Sequence, residues 1–70
     1  MNRRLRRQAQ YLKMLIGLDK SWDFYTKDNT GIFQDKVSLF TWSGQQVFTR
    51  DQLRKRIIAV KGHIRRELDG

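Results

Sequence analysis

A chain of 70 residues with no cysteine has neither a disulfide nor a thiolate-held metal to staple it, so packing alone must hold it together. Below about 70–80 residues a single apolar core supplies little surplus stability. Leu, Ile, Val and Phe make up 19 of the 70 residues, just over a quarter. That exceeds the roughly 20% below which a highly charged chain stays disordered. The chain is expected to fold as one small domain over residues 1–70, with a thin core supported by close helix packing, self-association or a partner.

Helical periodicity marks both ends. Leu5, Ala9, Leu12 and Ile16 fall within about 60° on a helical wheel, predicting a helix over 3–18. Leu15 and Leu18 widen the stripe, and Arg3, Arg6, Arg7, Gln10 and Lys13 cluster opposite it. Gly17 and Asp19-Lys20-Ser21 are read as its stop. A second helix is announced by Thr49 with Gln52 three residues later, a capping box, with Asp51 where the helix dipole favours negative charge. Leu53, Ile57, Val60, Ile64 and Leu68 form its stripe, which passes through Gly62 without losing register.

The intervening segment reads as β structure. Trp22 to Lys27 is aromatic and alternating, as in a strand, and Asp28-Asn29-Thr30-Gly31 is a turn. Ile32-Phe33 begins a returning strand or a short edge piece. Val37–Trp42 and Gln45–Phe48 form a hairpin about Ser43-Gly44, with the glycine in a primed turn. The expected class is α+β: an N-terminal helix, a three- to four-stranded antiparallel β-meander and a C-terminal helix. A loop at Ser43-Gly44 pairs Phe40 with Val47 and Leu39 with Phe48. Phe40, Trp42 and Val47 then share one face, and Val37, Leu39 and Phe48 the other. With both faces apolar, either the helices cover opposite faces or one aromatic patch stays open as an interaction surface.

The net charge of +8 is unevenly placed. Residues 1–16 carry five bases and no acid, residues 17–50 are neutral, and residues 51–70 carry six bases against three acids. A neutral middle between basic ends is an electrostatic footprint. The Arg-rich start is not a signal peptide, because Lys13 interrupts its apolar run and no small-residue cleavage site follows. A transit peptide fits the Arg-rich, acid-poor composition better, but its removal would take the first helix with it. No stretch approaches the roughly 18 apolar residues of a membrane span. A soluble, cytoplasmic protein is expected.

Catalysis finds little to work with. His63 is the lone histidine, at the margin of a helical stripe, where it packs or caps rather than acting as a general base. Asp19, Asp23, Asp28 and Asp35 lie among as many bases and read as a solvated face. Asp28-Asn29-Thr30-Gly31 lacks the alternating acids and closing Glu of a calcium loop. There is no glycine-rich phosphate loop. No enzyme activity, cofactor or metal is expected.

Arginine suits phosphate because its planar fork donates two parallel hydrogen bonds and stays charged. The candidate nucleic-acid contacts are Arg3, Arg4, Arg6, Arg7 and Lys13 on the first helix, and Arg54, Lys55, Lys61, Arg65 and Arg66 on the second. The bland alternative is a solvated helix face. Trp22, Phe24, Tyr25, Phe33, Phe40, Trp42 and Phe48 all lie between the basic segments and are mostly wanted for the core. Tyr25 and Trp42, each with a polar handle, are the candidates for exposed stacking. Ile58 projects away from its stripe between Arg54 and Arg65, where it could seat a partner or a second subunit.

The order helix, hairpin, helix in about 70 residues is similar to small phage head–tail joining proteins, and Trp22 to Arg56, strands followed by a helix, resembles the arm-binding domain of some integrases. These likenesses of architecture supply no site residues. The expected function is a non-enzymatic nucleic-acid-binding protein, with duplex DNA preferred over RNA because the charge sits on helices. The alternative is an assembly or adaptor module docking on an acidic protein. A homo-oligomer is compatible with either.

Overall fold

The computed structural model describes residues 2–70. Helix α1 (Arg3–Lys20) begins at Asn2, whose side chain accepts from the Leu5 N–H at 2.7 Å. It runs through Gly17, two residues beyond the expected end, and the Ser21 N–H closes it on the Gly17 carbonyl at 3.1 Å. Helix α2 (Trp22–Thr26) follows at once. A 3-10 turn (Gly31–Phe33) then leads into strands β1 (Lys36–Thr41) and β2 (Gly44–Thr49), and helix α3 (Arg50–Asp69) completes the order. The fold is α+β, with a two-stranded antiparallel sheet between N- and C-terminal helices.

Two expected strands are absent. Residues 22–26, within the expected strand 22–27, are helical because the segment has only one side chain to bury. Trp22 enters the core, while Phe24 and Tyr25 stay exposed. A strand would set Trp22 and Phe24 on the same face. The helical turn is closed by the Tyr25 N–H on the Ser21 carbonyl, and by the Thr26 hydroxyl donating to the Trp22 carbonyl at 2.8 Å. Local hydrogen bonding thus overrides aromatic β-propensity. Ile32-Phe33 lies in the 3-10 turn.

The hairpin forms with a different register. Val37 pairs with Phe48, Leu39 with Gln46, Phe40 with Gln45 and Thr41 with Gly44. The loop is therefore Trp42-Ser43. Neither residue has positive φ, so the turn is not primed; the left-handed residue is Gly44 (φ 105°), just after the turn. The Thr41 hydroxyl oxygen accepts from the Ser43 N–H at 3.1 Å and fastens the corner. Because the pairing slides by an even number of residues, the paired side chains keep their expected faces, but Trp42, expected beside Phe40 and Val47, leaves the sheet for the loop and packs against Tyr11 of α1. Val37 and Phe48 are buried, and Phe40 and Val47 are exposed.

The core gathers Tyr11, Leu15, Leu18, Trp22, Val37, Phe48, Leu53, Ile57 and Val60. Helices α1 and α3 lie side by side, and the inner face of the hairpin packs against them. The stripe of α1 is rotated from its expected centre. Leu15 is fully buried and Tyr11 nearly so, whereas Ala9, Leu12 and Ile16 are half-buried. The cause is the hairpin, which covers one flank of the helix pair and draws Tyr11 inward through a hydrogen bond from its hydroxyl to Gln46. The expected capping box is present: the Gln52 N–H donates to the Thr49 hydroxyl at 3.2 Å, and the Thr49 N–H to the Gln52 side chain at 3.1 Å. On α3, Leu53, Ile57 and Val60 are buried and Ile64 half-buried, but Leu68 is 64% exposed, because little packs over the last turn.

Candidate nucleic-acid interface

Two sets of ion pairs fix how the long helices run. Near the end of α1, Asp19 accepts from Arg50 and Arg54, each at 3.3 Å, at the start of α3. Near the start of α1, Arg4 lies 3.9 Å from Glu67, close to the end of α3. The helices are therefore antiparallel, and the first turns of α1 sit beside the last turns of α3. Residues some 60 positions apart in the chain share one pole. Arg3, Arg4, Arg6 and Arg7 of α1 share that end of the helix pair with Lys61, Arg65 and Arg66 of α3, with Glu67 and Asp69 as its acidic side chains. Among the described residues, this end carries seven Lys and Arg side chains and two Asp and Glu side chains.

The opposite pole is different. Arg54 and Lys55 belong to it, and both are engaged. Arg54 shares Asp19 with Arg50, and Lys55 pairs with Asp51 at 3.1 Å across one helical turn. From Arg54 to Arg65 is about 16 Å along the helix. These two candidates therefore stand apart from the cationic pole and are partly neutralised. Lys13 is exposed midway along α1.

Within the pole the cations differ in freedom. Arg3, Arg6, Lys61 and Arg65 are exposed and have no acidic partner within 4.0 Å among the described residues. Arg66 leans back so that its Nε donates to the Gly62 carbonyl at 3.4 Å. Arg7 lies over the ring of Trp42, its guanidinium carbon 5.3 Å from the centroid. Such an exposed cation–π contact contributes about 0.5–1 kcal/mol. His63 is half-buried, 3.9 Å from Glu67.

Of the stacking candidates, Trp42 is 57% exposed and borders the pole, with its ring edge-on to Tyr11 at 5.9 Å. Beside it an open groove of about 390 Å³ runs past Tyr11 to Arg56 and His63. Arg56 was not a sequence candidate. Its Nη1 donates to the Tyr11 hydroxyl at 3.4 Å, and its guanidinium lies over Phe48. Tyr25 is half-exposed and sits edge-on to Phe24 at 5.4 Å, on a different element from the cations. Phe24 and Phe40, passed over for want of a polar handle, are more exposed than either candidate, at 68% and 73%. Ile58 is 70% exposed on α3. A shallow notch of about 290 Å³ also opens between the long helices, floored by Leu12, Ile64 and Leu68 and edged by Lys61, Arg65 and Asp69.

No helix among the described residues is long and apolar enough to cross a membrane. Comparison of the chain with protein-family models, curated proteins and solved structures gives no match.

Proposed function

We propose that this chain is a small, basic, non-enzymatic nucleic-acid-binding protein, acting in the cytoplasm as a regulator or accessory factor and gripping duplex DNA by its phosphates. The observation that supports this reading is the antiparallel helix pairing, which merges two separate basic runs into one cationic pole. Each arginine there presents a planar fork matched to a phosphate oxygen pair. Helices hold these forks at fixed spacings of about 5 Å per turn, suited to a regular backbone rather than to a flexible single strand. Such contacts position a protein on DNA and carry affinity without reading bases.

Neutralising five to seven phosphates gives a slope of log affinity against log salt of about −4 to −6. The test is a titration on random-sequence duplex DNA at 50 and 200 mM salt. The expected loss over that range is several hundred- to several thousand-fold. No measurable binding at the lower salt would reject the reading.

A second reading is favoured by the notch over Leu12, Ile64 and Leu68. A duplex has no use for an apolar floor, whereas an acidic protein could seat one apolar side chain there and set carboxylates on Lys61 and Arg65. In that case the protein is an adaptor or assembly module. Leu68→Ser would then abolish a protein complex while leaving duplex affinity unchanged.

A further inference from the structure

The outer face of the hairpin carries Ser38, Phe40, Gln45 and Val47. Phe33, on the 3-10 turn, borders the same groove as Asp28, Lys36, Ser38 and Gln45. Phe40 is 73% exposed, Val47 41% and Phe33 40%. None of these three side chains ionises, nor do Ser38 and Gln45. The charged residue on this face, Lys36, stands at its end and turns its ammonium to the Ile32 carbonyl at 3.2 Å. We propose that a second copy of this chain docks here, forming a two-fold dimer that leaves both cationic poles free.

Charge selects the occupant. Two molecules of net charge +8 that meet through their helices set cations against cations. On the outer sheet face the ionisable groups are Lys36 and, beside it in the groove, Asp28, of opposite sign, so the two copies meet there with no excess of like charge. A two-fold interface also sets a patch against itself, so its polar groups must be self-complementary. Serine and glutamine each donate and accept, and so can pair with their own kind, which lysine and aspartate cannot. An acidic partner, by contrast, would be drawn to the poles.

Area sets the strength. The exposed fractions of Phe33, Phe40 and Val47 correspond to roughly 300 Å² of apolar surface per copy, taking aromatic side chains at about 150–250 Å². A standard stable complex buries about 800 Å² per partner. The dimer is therefore weak and reversible. Added salt screens the long-range repulsion between copies, so it strengthens the dimer while weakening DNA binding. The two properties move in opposite directions and succeed or fail separately.

The experiment is sedimentation equilibrium of the full chain without nucleic acid, from about 10 µM to 1 mM, at 50 and 500 mM salt. The weight-average mass should climb from 8.4 kDa toward twice that value, and at lower concentration in the higher salt. Phe40→Ser, an exposed change, should stay monomeric throughout with unchanged circular dichroism. Three results would overturn the proposal: a wild-type monomer at 1 mM in both salts, an undiminished dimer in folded Phe40→Ser, or a dimer that dissociates as salt rises.

Discussion

Leu12 and Leu15 lie one turn apart on α1, yet their truncation should have very different consequences. Periodicity places Leu12 near the stripe centre and Leu15 at its margin, and the packing reverses that order. Leu15 is fully enclosed in the core that includes Leu53, itself fully buried, so Leu15→Ala leaves a cavity in the contact between α1 and α3. Such a change costs about 2–5 kcal/mol, combining the lost transfer energy with the void left behind. Leu12 is half-buried, open to the notch beside Lys61, and Leu12→Ala removes surface that water already touches. About half the burial energy of a leucine, near 1 kcal/mol, is at stake. Typical stabilities of ~0.05–0.15 kcal/mol per residue place a chain this size at about 4–10 kcal/mol. Leu15→Ala should therefore lose about half of the stability. Leu12→Ala should lose about 1 M or less in its urea midpoint, with a slope near 1 kcal/mol per M. Urea titrations followed by far-UV circular dichroism compare the two. Equal losses, or a larger loss for Leu12→Ala, would refute the rotated stripe and with it the packing of the hairpin on Tyr11.

The remaining predictions concern backbone features and the capping box. Gly62 lies inside α3, and a Cβ there would meet nothing within 4 Å, so Gly62→Ala should raise stability by about 0.5–1 kcal/mol in thermal or urea melts. Gly44 has equal room but φ of +105°, so Gly44→Ala should instead destabilise by about 1–3 kcal/mol. Thr49→Ala removes one half of the capping box and should cost about 1 kcal/mol in the same melts. Asp19→Asn should cost no more than about 1 kcal/mol despite losing charge at two arginines, because both partners are largely solvated.

The elements legible in the sequence are those that local chemistry dictates. Thr49, Gln52 and the stripe from Leu53 to Val60 specify α3, and parity gives the correct faces for Val37, Phe40, Val47 and Phe48, though not for Trp42, which the displaced turn takes out of the sheet. Trp22 to Thr26 misled because aromatic residues favour strands only when a partner strand covers them. Here just one of the aromatics is buried, and the decisive fact, how the core reaches Trp22, is tertiary. The candidate site shows the same division. Its two basic runs are plain in the sequence, but their meeting at one pole follows from the direction in which α3 returns along α1. Arg54 looked as free as Arg65, because its partner Asp19 lies 35 residues away. The pairing of Lys55 with Asp51, one helical turn apart, was open to sequence reasoning.

The central claim is that the two basic runs act as one surface, and cluster-resolved salt dependence tests it most directly. Duplex affinity would be measured against salt for the wild type, for Arg3→Gln with Arg6→Gln, for Arg65→Gln with Arg66→Gln, and for all four together. These side chains are exposed and distant from the core, so the variants should remain folded. If both helices contact phosphate, each pair should make the slope shallower by about 1.8, and the fourfold change by about 3.6. A slope that responds to one pair and not to the other would show that the helices do not share a binding surface.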